Sequence, residues 1–284
     1  MFLNPIDWPE GKRCAACVTF DIDADSLIRV ARPDDADLRL QPISMGRYGP
    51  TVAVPRILES YRRWGLAQTF FMPAWVMQNY PETVEAILKD GHEIGHHSWM
   101  HEDPMEHSDE HEAELFERAL EVHVKMTGRK PRGYRAPVYS ITPAIVDRLI
   151  EHDFLYDSSM MADDLPYLVE RPSGSVIEIP GHWGTDDWPP FAHFSEIDYL
   201  MPVRAPSDGI RAFAEEFDAM HEAGGFWMPI LHPFLTGRLA RWREMEKLIE
   251  RALETGDVWF APMERIAAHA ASKRNTLRRE VIGA

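Results

Sequence analysis

Between residues 15 and 263, short apolar runs alternate with stretches of helical period, and this alternation restricts the chain to a small set of folds. Residues 15–20, 69–72, 92–97, 133–136, 154–157, 176–179, 226–231 and 258–261 are too short for ordinary helices and alternate with helical stretches, so they predict strands, the first of them a run of small and β-branched residues. Residues 54–64, 81–89, 108–127, 142–152, 207–223, 238–253 and 264–271 predict helices, and the first three stop at Gly65, Gly91 and Gly128. Strand followed by helix along the whole chain requires a parallel sheet, because each parallel crossover lays a helix on the outer face. The expected fold is α/β, a barrel of about seven strands in a single domain over residues 1–284. The barrel would span residues 15–263, with a helix and a polar tail or oligomer contact in 264–284. Residues 26–49 carry no sustained period, include Pro33, Asp34, Asp35 and Asp37, and end at Gly46-Arg47-Tyr48-Gly49. They predict a long loop over the exit of the first strand.

Charge and cysteine usage narrow the partners. Lys plus Arg is 30 against 46 for Asp plus Glu, a net charge of −16 that repels phosphate backbones and anionic membranes. Neither nucleic acid nor a membrane is an expected partner. The first residues lack the basic and apolar segments of a secretory signal, and no run approaches the ~20 apolar residues of a membrane span. The expectation is a soluble, cytoplasmic protein. Cys14 and Cys17 have redox spacing, but such a pair places its first thiol at a helix N-terminus, whereas these lead into a strand.

In parallel barrels the chemistry lies at the C-terminal rim. The first strand ends Thr19-Phe20-Asp21-Ile22-Asp23-Ala24-Asp25, and a period of two puts Asp21 and Asp23 on one side. His97 and His101 are spaced to give two imidazoles to a divalent metal if the backbone after His97 coils into a helical turn. His107 and His111 repeat that spacing inside a run of carboxylates, which fits a solvated helix start better than a ligand pair. Other strands end Arg135-Ala136-Pro137, Asp157-Ser158-Ser159 and Leu231-His232-Pro233. Carboxylates, imidazoles and a guanidinium gathered on one rim point to a site.

The order Thr-Phe-Asp-x-Asp, His-Ser-x-x-His, Arg-x-Pro and Leu-His-Pro resembles the polysaccharide deacetylase family with its NodB homology domain, over residues 15–263. The resemblance implies a distorted (β/α) barrel of NodB type and one divalent metal, usually zinc, on Asp23, His97 and His101. It also implies Asp21 as general base, Arg135 as the residue orienting that base, His232 as general acid, and a homo-oligomer, a tetramer. Two departures stand out. Ile22 separates aspartates that are commonly adjacent in the family, which leaves base and ligand open among Asp21, Asp23 and Asp25. Val138 stands where a Tyr is expected, with Tyr139 one later; that position supplies a backbone N–H to an oxyanion, so its side chain is free to vary.

The chemistry runs the same way without the family. A three-ligand zinc site keeps a position for water and lowers its pKa to about 7. A free carboxylate beside it can take a proton, a backbone N–H can stabilise the tetrahedral oxyanion, and a protonated histidine can serve the leaving nitrogen. That is hydrolysis of an amide-type C–N bond. Trp99, Tyr139, Trp183, Trp188 and Leu231 are candidates to wall a substrate pocket. The chain is most similar to a branch of the family holding peptidoglycan deacetylases, a cyclic imide hydrolase and an allantoinase that dispenses with the metal triad, which is whole here. Residues 26–49 and 180–205 should rise over one rim and turn a groove into a pocket, which favours a small cyclic imide or other small amide. The alternatives are N-deacetylation of an N-acetylglucosamine polymer, and a binding protein whose metal only staples the fold.

Overall fold

The computed structural model describes residues 2–283. Its strands are β1 (Cys14–Ala16), β2 (Thr19–Asp21), β3 (Thr69–Met72), β4 (Glu93–His96), β5 (Gly133–Tyr134), β6 (Tyr156–Asp157), β7 (Tyr167–Arg171), β8 (Gly174–Glu178), β9 (Phe226–Trp227), β10 (Ile230–Leu231), β11 (Val258–Phe260) and β12 (Arg279–Val281). They form a long sheet ordered β10-β2-β3-β4-β5-β6-β8-β7-β12 and a short one ordered β11-β1-β9. Every pairing is parallel except the β7–β8 hairpin.

The expected first strand is one stave broken in two, because at the break the Val18 N–H turns to Gln68 Oε1 at 2.6 Å instead of a neighbouring strand. The stave of β9 and β10 breaks at Met228-Pro229, where proline has no N–H for the ladder. The ring does not close by continuous pairing. Between β8 and β10 a single parallel bridge, Asp186 to Ile230, spans the gap, and this makes the barrel a distorted one.

Side-chain alternation on β3 shows how the layers form. Phe70 stacks on Phe20 with centroids 4.8 Å apart in the layer beneath the helices Val54–Trp64 and Leu239–Glu254, where Tyr61 and Trp242 also pack. Phe71 points the other way, into a cluster with Cys17, Tyr156, Ile177 and Ile230 that fills the barrel. Each such ring, fully buried, contributes roughly 1.5–3 kcal/mol relative to exposure. Below it, Glu93 on β4 accepts from Thr69 Oγ1 at 2.7 Å, the Tyr156 hydroxyl at 2.9 Å and the Glu264 N–H at 2.9 Å, tying three staves to the last helix. Burial pushes the Glu93 carboxyl up to about 7.

Three expectations need correction. Residues 26–49 are not a loop: they hold helices Ser26–Ala31 and Leu40–Tyr48 and a 3-10 turn, Ala36–Leu38, before a π turn, Gly49–Ala53, leads into Val54–Trp64. Tertiary packing overrides the missing period there. The buried Asp25 carboxylate accepts from Arg29 and Arg47 and from the Tyr80 hydroxyl, while Gly46 lies so close that a Cβ on it would sit 2.4 Å from Ala24 O. The polar tail is not free either, since β12 pairs with β7 and Arg279 bonds Glu170 at 2.6 Å. The segment before β8 is not a plain connection but contains a further strand, β7, and Gly174 makes the turn between the two at φ 147°. Cys14 and Cys17 are buried free thiols, and burial pushes both up to about 12, which leaves them inert. Among the described residues no helix is long and apolar enough to cross a membrane.

Candidate active site

The C-terminal ends of β2, β4, β5 and β10 deliver Asp21, Asp23, His97, Arg135 and His232 to one rim. Asp23 is fully buried and neither of its oxygens has a hydrogen-bond partner. Around it stand His97 Nε2 at 3.5 Å from Oδ1, and His101 Nε2 and His232 Nε2 each at 3.6 Å from Oδ2. A buried carboxylate left unpaired is costly unless it coordinates an ion. The ligand atoms of Asp23, His97 and His101 all lie within 4.8 Å of one another, so this donor set fits a divalent metal. His97 Nδ1 lies 2.7 Å from the carbonyl of Arg135, which fixes that nitrogen as the donor and leaves the Nε2 lone pair facing Asp23.

The turn that carries the two histidines is not helical. After β4 the chain leaves regular structure, with Ser98 at φ 61° and His101 at φ 71°. Glu102 holds this turn by accepting from the Ser98 hydroxyl and from the N–H groups of Trp99 (3.0 Å) and Met100 (2.6 Å). The expected helical turn is therefore replaced by one pinned by a buried carboxylate. Ala24, Val138 and Tyr139 also have positive φ, so non-glycine residues in this unfavourable region line the site.

Asp21 and Arg135 form a buried pair. Arg135, with no exposed surface, gives Nη1 to Asp21 Oδ1 at 2.7 Å and to Thr19 Oγ1 at 3.0 Å, gives Nη2 to Ser158 Oγ at 3.0 Å, and lies over the Phe71 ring. Its position is fixed on every side, so Asp21 is fixed too. Asp25 turns away to Arg29, Arg47 and Tyr80, which leaves Asp21 as the carboxylate free to serve as base and Asp23 as the one among the imidazoles.

His232 is held by a residue that sequence reasoning missed. Asp187 accepts from His232 Nδ1 at 2.7 Å, from the His232 N–H at 3.0 Å and from the Thr236 N–H and hydroxyl. Burial disfavours the imidazolium, but the Asp187 carboxylate outweighs it and holds His232 well above the usual histidine range. Asp186, Asp187 and His232 also converge as a possible ligand group, yet Asp187's oxygens are occupied and it already binds Nδ1, so that group is a hydrogen-bonded support. Its one sequence signal was an acidic pair directly before Trp188-Pro189, in a stretch without a strand or helix period.

Residues 48–156 match the sequence pattern described as polysaccharide deacetylase. A solved structure from Mycobacterium smegmatis, provisionally named a polysaccharide deacetylase, is 33% identical, covers 100% of this chain and 98% of its own, and superposes with a TM-score of 0.93. The chain belongs to the polysaccharide deacetylase family. A peptidoglycan deacetylase of Helicobacter pylori is 25% identical over 83% of this chain and 87% of its own length. A solved allantoinase matches 93% of this chain and 92% of its own with a TM-score of 0.80 at 23% identity, a likeness of fold. Like other polysaccharide deacetylases, this chain is a hydrolase acting on carbon–nitrogen bonds other than peptide bonds. The family's enzymes are metal-dependent, and Asp23, His97 and His101 are the candidate ligands.

In this deacetylase fold the rim encloses a cavity of about 150 Å³. Asp21, His97, His101 and His232 form its floor, and Leu27, Ala136, Val138, Tyr139, Trp183, Asp186, Trp188 and Ile197 its walls. Tyr139 and Trp183 meet edge to face at 5.0 Å in this lining. Two expected wall residues lie elsewhere. Trp99 packs beneath Arg118, whose guanidinium is 3.6 Å from the ring centroid, and Leu231 is a core residue of β10 whose side chain faces the helix layer. Alternation explains Leu231: it precedes His232, so the two point to opposite sides.

Proposed function

We propose that the enzyme hydrolyses the C–N bond of a small cyclic imide or another small amide, with zinc as its metal. The size and lining of the cavity carry this reading. About 150 Å³ is the scale of a space that holds one benzene-sized ring, and apolar walls with a few polar groups on the floor suit a flat, compact molecule. The segments 26–49 and 180–205 both contribute walls, through Leu27 and through Trp183, Asp186, Trp188 and Ile197.

Contacts support a role for each residue. Two imidazoles and a carboxylate suit zinc, which when bound supplies Lewis acidity and a water acidic enough to act at neutral pH. Asp21, aimed by Arg135, is the general base that accepts the proton of the attacking water. His232, kept protonated by Asp187, gives a proton to the leaving nitrogen. The Tyr139 N–H is already bonded to Ala136 O at 3.1 Å, which leaves the Val138 N–H as the oxyanion donor at this turn.

A second reading, N-deacetylation of an amino-sugar polymer, is favoured by Val138 and Trp183, each 51% exposed at the mouth where a sugar ring could rest, and by what the Helicobacter pylori relative's name says of that protein. The test is kcat/KM for succinimide-type rings against N-acetylglucosamine oligomers with zinc supplied. Preference for the ring supports the first reading. A rate that favours the oligomer and rises with chain length overturns it.

A further inference from the structure

Asp186 lies in the cavity wall, 2% exposed, and the roles assigned above leave it unused. Asp187, not Asp186, holds His232 Nδ1, and Asp186 stands apart from the ligand set Asp23, His97 and His101, meeting only the support group of Asp187 and His232. Its Oδ2 accepts from the Tyr139 hydroxyl and its Oδ1 from the Trp188 N–H at 2.7 Å. An ionised carboxylate has about four lone-pair directions, so two remain. Around it the wall is apolar: Leu27, Val138, Trp183, Trp188 and Ile197 offer no side-chain donor that this carboxylate uses. At 2% exposure this carboxylate has almost no water on its remaining lone pairs, so a donor on a ligand in the cavity satisfies an acceptor that the protein leaves bare.

Position decides which donor. His232 Nδ1 is 3.9 Å from Asp186 Oδ1, and Nε2 on the opposite edge of the ring is 3.6 Å from Asp23 Oδ2. Asp186 therefore stands across one imidazole width from the ligand cluster. An amide whose carbonyl is drawn to that cluster lays its nitrogen side along His232 toward Asp186. We propose that Asp186 is a specificity-determining residue that accepts the substrate's N–H, so that the site takes imides and amides with a free N–H and rejects their N-alkylated counterparts. The proposal rests on the reading of this cavity as an amide-hydrolysing site.

A purely structural role is the competing account, since Asp186 also clasps residues 180–205 to the rim through Tyr139. A clasp would affect all substrates alike. The experiment compares kcat/KM for succinimide and N-methylsuccinimide, and for N-acetylglucosamine and its N-methyl derivative, in the zinc-loaded wild type, Asp186→Asn and Tyr139→Phe. The wild type should prefer the free N–H by at least about 100-fold, in line with sites built to bond a donor. Asp186→Asn should cut that ratio at least tenfold, chiefly through KM of the N–H substrate, and Tyr139→Phe should keep it. A wild-type ratio near one, or an unchanged ratio in Asp186→Asn, overturns the proposal. Turnover of the sugars alone would overturn the small-ring reading, while the sugar pair would still test Asp186.

Discussion

At the scale of single residues, the site is a set of charges whose positions are fixed by neighbours with no freedom of their own. Asp21 is the sharpest case, because Arg135 is anchored to Thr19, Ser158 and the Phe71 face. Asp21→Asn keeps the shape and removes a proton acceptor, so kcat should fall by about 10²–10⁴-fold while metal content stays at the wild-type level. Near-normal turnover in that variant would move the base elsewhere. Asp187 gives a different signature. Its carboxylate raises the pKa of His232, so the acid form persists to higher pH than in a free histidine. Asp187→Asn should lower that pKa and shift the alkaline limb of kcat/KM to lower pH, with kcat reduced at neutral pH. A limb that stays in place would show that another group is the acid.

At the scale of elements, helices and strands were legible where the period was strong, and the helix Val54–Trp64 with its glycine stop at Gly65, φ 66°, was written in the sequence. Residues 26–49 were not, because their helices owe their form to contacts across the chain, of Asp25 with Arg47 and Tyr80 and of Gly46 with Ala24, which leave no local period. The candidate ligands His97 and His101 could be picked out by spacing, yet their turn could not, since Glu102 fixes it from a position no motif marks. Asp187 was invisible for a related reason: it acts on a histidine 45 residues away. Gly46 supplies a test of this distant packing. In Gly46→Ala the new Cβ would meet Ala24 O at 2.4 Å, next to Asp23. The clash should cost about 1–3 kcal/mol in denaturant unfolding and weaken binding of a divalent metal as well. A variant with full stability would mean that the Ala24 turn yields without cost.

At the scale of the whole molecule, the barrel is closed below by buried polar groups as much as by rings. Glu93 holds its proton up to about pH 7 when folded, whereas the unfolded carboxyl loses it near the ordinary glutamate value of 4.5. Between these values the native state binds more protons, so Glu93 contributes stability that is full at low pH and is lost as the pH rises toward 7. Glu93→Gln should flatten the stability–pH curve in that window, measured by urea unfolding from pH 4.5 to 7.5, and an unchanged slope would assign the curve to other groups. The short sheet beneath has a consequence of another kind. Its central strand, β1, leaves the ribosome about two hundred residues ahead of its partners, β9 at Phe226–Trp227 and β11 at Val258–Phe260. At about 5–20 residues per second, the nascent strand waits tens of seconds for both neighbours. During that wait Cys14 and Cys17, inert in the finished protein, are open to oxidants and to aggregation with other chains, so the cell meets this enzyme's thiols only during its birth.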